Sequence, residues 1–308
     1  MNLEVENMQR EFPEFKELTL EDITFLKERI WNHQPELSEL TFTNLFIWKD
    51  HFKFKWTMLD NDVIFMALNE DKPYFLEPVG EIDSDDIKKL SLWLKTQYGS
   101  EISFKMVGNK FVSKLDSDFT VRPMRDQFDY VYKADDMINL SGRKYHSKRN
   151  HLMNFFKNYR YEYKPMTDSD TAKAIELAQK WCQANRCKDD MNLLNEFEAT
   201  KSALENFKTF GLIGGMILIE GKIEAFTLGE LLNDKTMVIH IEKANKEFDG
   251  IYVAINNLFC KNNLKDGMFV NREQDLGDEG LRKAKLSYFP DHMVEKFEVI
   301  MQNLSTNS

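Results

Sequence analysis

Cysteine is scarce in this chain: three in 308 residues, Cys182, Cys187 and Cys260. An odd number without paired metal spacing argues against a disulfide framework and a zinc site. It fits a reduced, intracellular setting in which Cys182 and Cys187 are ordinary thiols. Long apolar runs are missing as well. The longest, near 212–219, is far short of the roughly 20 residues a membrane helix needs, so no transmembrane segment is expected. The stretch Met1–Arg10 has no apolar centre and does not read as a secretion leader. Positive charge is also short: 41 Lys and Arg stand against 51 Asp and Glu, a net charge of −10. Nucleic-acid or membrane binding by the surface as a whole is disfavoured, and an anion site has to be a local patch. There is no Walker loop, no zinc spacing and no Gly-x-Ser-x-Gly elbow. The expectation is a cytoplasmic protein with no metal and no tightly bound cofactor.

Core material is ample. Hydrophobic residues make up 42% of the chain, with 24 Phe and 10 Tyr. The length suits two domains. Periodicity predicts an α/β protein with mixed sheets. Ile23, Leu26 and Ile30 recur at helical spacing after Thr19, and Ile87, Leu90 and Leu94 do so after Asp83. Phe52–Met58 and Val63–Leu68 read as strands joined at Asp60-Asn61-Asp62. The second half runs helix, strand, helices, the strands Ile213–Ile219, Ile223–Leu231 and Thr236–Glu242, helix, strand, helix and a closing strand over Val294–Met301. The two halves share an element order without a residue-level repeat. A cut near Ala134–Leu140 predicts domains 1–135 and 136–308. The first of them, with no comparable polar cluster, reads as a possible degenerate copy.

Three clusters carry chemistry. Ser141–Lys164 holds seven Lys and Arg against the single acid Glu162, interleaved with aromatic residues. Arg143, Lys144, His146, Lys148, Arg149 and Asn150 open it. They suit phosphate binding, or equally the solvated face of an amphipathic helix whose aromatics are core. Phe248, Asp249, Gly250, Ile251 and Tyr252 join a strand to a helix start. That geometry offers free N–H groups to an anion, or is a plain helix cap at Asp249. The most informative stretch is Asn271–Pro290. Asn271, Arg272, Asp275, Gly277, Gly280, Arg282, Lys285 and Tyr288 mix carboxylates, cations and two glycines directly after an apolar strand. A cleft for an anionic substrate needs such a mixture; a salt-bridge network that fixes a turn also produces it. His240 and Glu230 fall on neighbouring strands and could form an acid–base pair, although a lone strand histidine is more often structural.

The segments Leu140-Ser141-Gly142-Arg143-Lys144-Tyr145-His146-Ser147-Lys148-Arg149-Asn150 and Asn271–Gly277 with Gly280–Pro290 resemble bacterial DUF2156 proteins. That group is similar to the soluble C-terminal region of phosphatidylglycerol lysyltransferases. The resemblance implies two tandem GNAT-like domains of the kind found in Fem peptidyl transferases. It also implies transfer of an aminoacyl group from charged tRNA to a lipid hydroxyl. A small-molecule acceptor and an acyl-CoA donor are alternatives. On this reading Asp275, Arg282 and Lys285 are the catalytic candidates. Arg272 stands with Arg282 and Lys285 for a phosphate or oxyanion, and Lys144, Lys148 and Arg149 form the other wall. A reading from another class is a non-catalytic protein that binds a phosphorylated metabolite or RNA in the same cleft. Oligomeric state is not legible.

Overall fold

The computed structural model describes residues 10–68 and 72–302. Most of the N-terminal stretch read as no leader lies outside them. The chain forms two compact units, residues 1–129 with 294–308, and residues 130–293.

In the first unit the order is β1 (Lys16–Glu17), α1 (Ile23–His33), α2 (Phe42–Ile47), α3 (Lys49–Phe52), β2 (Lys55–Leu59), β3 (Asp62–Ala67), β4 (Tyr74–Phe75), α4 (Ser84–Tyr98), β5 (Ile102–Val107), α5 (Asn109–Val112) and β6 (Phe119–Pro123). Helix α4 shows why the sequence folds locally. Asp83 accepts hydrogen bonds from the N–H groups of Asp85 and Asp86, capping the start. Ile87, Leu90 and Leu94 are fully buried at helical spacing, and Gly99 ends the helix in the left-handed conformation.

The second unit contains β7 (Asp129–Lys133, beginning on the last residue of the first unit), α6 (Ala134–Asn139), α7 (His146–Asn158), β8 (Tyr161–Pro165), α8 (Thr171–Ala184), α9 (Met191–Glu205), α10 (Phe207–Phe210), β9 (Ile213–Ile219), β10 (Lys222–Asn233), β11 (Thr236–Ala244), α11 (Ile251–Asn263), β12 (Phe269–Asn271), α12 (Glu279–Leu286) and β13 (His292–Val294). Its sheet runs β13-β7-β12-β11-β10-β9-β8. β11 and β12 are parallel, joined through α11. β9, β10 and β11 form an antiparallel meander.

Two expectations change. The expected cut at 135/136 moves to 129/130, because residues 134–139 form a helix of the second unit. The closing strand, β14 (Phe297–Met301), pairs with β5 and β6 in the first sheet, whose order is β1-β2-β3-β4-β5-β14-β6. A linear cut cannot represent a chain that returns. Cys182 and Cys187 are also not free thiols: they are joined, with Cα atoms 5.2 Å apart. Cys187 lies in the short turn after α8, which brings it back to the helix end. Cys260 is free and buried.

Candidate functional site

The chemistry of the second unit gathers where β11 and β12 end. Register first creates a disturbance there. Pairing steps from Leu228↔Ile241 to Gly229↔Ile239, leaving His240 as the extra residue of a bulge. A side chain at Gly229 would place its Cβ 2.4 Å from the Val238 carbonyl oxygen, so only glycine fits opposite the bulge. His240 Nδ1 lies 2.7 Å from Glu273 Oε1, and Nε2 lies 3.1 Å from Glu230 Oε1. Burial disfavours the charged ring, but the two carboxylates prevail and raise its pKa to about 9. Both ring nitrogens thus face a carboxylate, an arrangement that favours the imidazolium. The Glu230 neighbour expected from the sequence is present, and Glu273 adds a second carboxylate that the sequence did not reveal.

Two residues on, Glu242 accepts from Arg272 Nη2 at 3.1 Å and from Asn256 Nδ2 of α11 at 3.1 Å. The Asn256 Oδ1 is buried without a protein partner. The Arg272 guanidinium stands 5.2 Å from the centre of the Tyr288 ring. Lys148, from α7, places its ammonium 4.0 Å from the centre of the same ring. Lys148 is half-buried, and among the described residues no carboxylate pairs with it. Burial first, and then repulsion from Arg272, lower its pKa to about 8. Arg272, Tyr288 and Lys148 come from the two motifs singled out in the sequence, and the fold brings them together.

The three catalytic candidates are committed to one another and to backbone. Arg282 donates Nε and Nη2 to the two Asp275 oxygens at 2.9 and 2.8 Å. Tyr130 Oη and the Gly277 N–H also donate to Asp275, at 2.5 and 2.9 Å. Burial opposes the Asp275 charge, but Arg282 and Tyr130 overcome it and hold the carboxyl far below the usual range. Lys285 donates to the carbonyls of Arg272 (2.6 Å), Glu273 (3.0 Å) and Gln274 (2.5 Å). Asn271 Oδ1 accepts the Glu273 N–H at 2.8 Å. Together these bonds fix residues 271–277, whose backbone is left-handed at Glu273, Leu276 and Gly277. Asp278 caps α12 by accepting from the Leu281 N–H, and Gly280 lies in the first turn of that helix.

The basic stretch divides. Arg149 donates to the carbonyls of Leu140 and Gly142, bracing the turn between α6 and α7. Lys144 is exposed, 3.4 Å from Asp136. Arg143 is exposed, and His146 Nδ1 lies 3.4 Å from Asn150 Nδ2. The loop before α11 stands apart. The Asp249 N–H donates to Tyr159 Oη at 3.2 Å, and the Ile251 N–H donates to the Phe248 carbonyl at 3.1 Å. The Tyr252 hydroxyl accepts from Trp181 Nε1 at 3.0 Å. Gly250 has φ of +81°, and a Cβ there would lie 2.5 Å from the His151 carbonyl oxygen. Sequence reasoning passed over Glu242, Asn256 and Tyr130, each of which looks ordinary on its own element. Among the described residues no group of three or more His, Cys, Asp or Glu could hold a metal ion, and no helix is long and apolar enough to cross a membrane.

The fold is that of two tandem GNAT-like units. The family described as phosphatidylglycerol lysyltransferase, C-terminal, matches residues 33–300, and the chain belongs to it. A conserved protein of unknown function from Bacteroides thetaiotaomicron is 31% identical, with a TM-score of 0.87 over 94% of this chain and 99% of its own. The C-terminal domain (DUF2156) of a putative lysylphosphatidylglycerol synthetase from Agrobacterium fabrum is 10% identical, with a TM-score of 0.63 over 92% and 93%. L-PGS from Bacillus licheniformis is 14% identical, with a TM-score of 0.56 over 82% and 85%. An uncharacterised protein of Mycoplasmoides gallisepticum is 21% identical over 227 residues, 73% of this chain. The match spans 66% of that relative's length.

Proposed function

We propose that the second unit transfers an aminoacyl group, held as an ester on the 3′ end of a tRNA, to a hydroxyl of an anionic phospholipid headgroup. The family to which the chain belongs supports a lipid acceptor. The observation that carries the reading is Lys148, a half-buried cation without a carboxylate partner, facing the Tyr288 ring beside Arg272. Leaving a half-buried ammonium unpaired costs stability, and an anionic substrate offsets that cost.

The chemistry needs little beyond placement. The headgroup oxygen bonds to the ester carbonyl carbon, the bond to the tRNA ribose oxygen breaks, and that oxygen leaves with the hydroxyl proton. One ester replaces another, so no oxidant or energy source enters. Lys148 holds the headgroup phosphate. Arg272, oriented by Glu242 and Asn256, offers its remaining N–H groups to the carbonyl oxygen as that atom gains charge. The unpartnered Asn256 Oδ1 can accept from the aminoacyl ammonium. Asp275, Arg282 and Lys285 are positioning residues in this scheme, since they hold the loop that carries Arg272.

The test follows label from bulk-charged tRNA into the organic phase, with and without phosphatidylglycerol vesicles and with acyl-CoA as a second donor. The expected result is vesicle-dependent transfer from charged tRNA that collapses in Lys148→Met and is partly restored in Lys148→Arg. Intact charged tRNA under every condition would sink the proposal. Label from acyl-CoA alone would move the reaction to that donor. Tight binding of a phosphorylated ligand without turnover would favour the non-catalytic reading.

A further inference from the structure

We propose that residues 276–289 form a docking surface for an anionic phospholipid bilayer. Eleven large apolar side chains are exposed among the described residues, and four of them lie within these fourteen positions. They are Leu276, Leu281, Leu286 and Phe289, between 40% and 62% exposed. Helix α12 is turned against the usual pattern, in which apolar residues face inward. Its Lys285 is buried, and Arg282 is half-buried against Asp275. The inward face meets the carbonyls of residues 272–274 and the Asp275 carboxylate, so it has to supply donors. That requirement explains the buried cations. It does not explain the leucines, because polar residues would serve at least as well at solvent-exposed positions. Exposed apolar side chains concentrated in one short segment are the mark of an interaction surface.

Charge selects the partner. Lys144 Nζ, exposed and 3.4 Å from Asp136, is 5.6 Å from the centre of the Phe289 ring and 4.8 Å from that of Tyr145. Arg143, next to Lys144 in sequence, and Lys283 of α12 are exposed. The acids of the segment, Asp278 and Glu279, sit at the start of α12, where Asp278 is spent as its cap. In a chain of net charge −10, cations thus accompany the exposed apolar residues. Apolar side chains that enter the acyl boundary, with cations that meet lipid phosphates, are what an anionic bilayer recognises. Phe289 directly follows Tyr288, the ring faced by Lys148 and Arg272, so the surface adjoins the candidate site. The inference rests on the phospholipid acceptor proposed above and specifies how that acceptor is reached.

The experiment is flotation of the full chain with vesicles of phosphatidylglycerol or of phosphatidylcholine, at low and high salt. Phosphatidylglycerol vesicles are expected to bind the protein at least tenfold more tightly, with the preference lost at high salt. The variant Leu281→Ser/Leu286→Ser/Phe289→Ser is expected to lose tenfold or more in vesicle affinity. Should its thermal melt show misfolding, Lys283→Glu replaces it, at a single exposed position, with an expected loss of about tenfold on phosphatidylglycerol only. Both variants should keep transfer to a short-chain, water-soluble phosphatidylglycerol while losing transfer to vesicles. Vesicle binding that is absent, or equal in wild type and variants, overturns the docking surface. So does conversion of a dimer to a monomer by the same substitutions, which would assign the patch to a second copy. Residue-dependent docking without any transfer would defeat the proposed reaction alone. Transfer to the soluble lipid without vesicle docking would defeat this inference alone.

Discussion

Two lysines, one in each unit, are removed from bulk water and end in opposite states. Lys296 of the first unit is fully buried, yet its pKa is raised. Burial disfavours its charge, but Asp129 at 2.6 Å and Glu39 at 2.7 Å outweigh that cost, and Ser38 Oγ accepts at 3.3 Å. Lys148 of the second unit is only half-buried, has no carboxylate, and falls to about 8. Depth of burial therefore does not order the two; pairing does. A closed ion cluster holds a fold together. A surplus cation beside an otherwise paired network does not serve that end, and the proposed acceptor phosphate is what would pair with it.

The sharpest break in this comparison is Lys296→Met. It strands two neighbouring carboxylates in the core of the first unit, so a loss of about 3–5 kcal/mol is expected. Urea unfolding measures it, and a loss under 1 kcal/mol would mean that the cluster contributes little. His240 tests the same principle in the second unit. Its folded pKa of about 9 lies above the ordinary 6.5. The imidazolium pairs therefore stabilise fully below pH 6.5, and that contribution fades as pH rises through 9. The span is on the order of 3 kcal/mol. Compared with His240→Gln, wild type should lose its advantage between pH 6.5 and 9.5. A constant difference would show that His240 is not charged in the fold.

Lys148→Met comes next and should separate function from stability. The unpaired ammonium contributes no ion pair and is disfavoured by burial, so its removal should leave stability unchanged or raise it. Transfer should fall by roughly two orders of magnitude, the size of one charged transition-state or substrate contact. Acceptor KM should rise above pH 8 in wild type, where the cation is lost, and stay flat in the variant. A KM profile that breaks only near pH 10 would remove Lys148 from the acceptor site.

How much of this was readable in advance follows from where the partners lie. The α/β pattern and most strands were legible because apolar periodicity is local, as in α4 and the β9–β11 meander. The convergence of Lys148, Arg272 and Tyr288 was half legible: both motifs stood out by composition, though not which of their cations stay unpaired. The Lys296 cluster was invisible. Its members Ser38, Glu39, Asp129 and Lys296 are spread over the whole chain, and Lys296 lies past the segment that forms the second unit. The first half was therefore read as lacking a polar cluster, although its unit contains one. Residues 271–290 had the opposite fault. Their density of charge pointed to a site, but not to the internal pairing of Arg282 with Asp275 or to the backbone carbonyls that Lys285 meets.

The smallest and most discriminating test concerns Glu39. Burial pushes its carboxyl up to about 7, with Lys296 pulling down and Asp129 pushing up, and its Oε2 is buried without a partner. An acid whose folded pKa lies above its unfolded value binds its proton more tightly in the fold. Stability is then lost as pH rises from 4.5 through 7 and stays level above that. At pH 8 the cluster holds two carboxylates against one ammonium, and Glu39→Gln would restore parity while leaving an oxygen to accept from Lys296. The variant should match or exceed wild type by up to about 1 kcal/mol at pH 8 and lose that advantage at pH 5. Urea midpoints at the two pH values decide it. A variant clearly weaker at pH 8 would make Glu39 a needed counter-charge. Lys296 would then depend on both acids, and its contrast with the unpaired Lys148 would be wider than drawn.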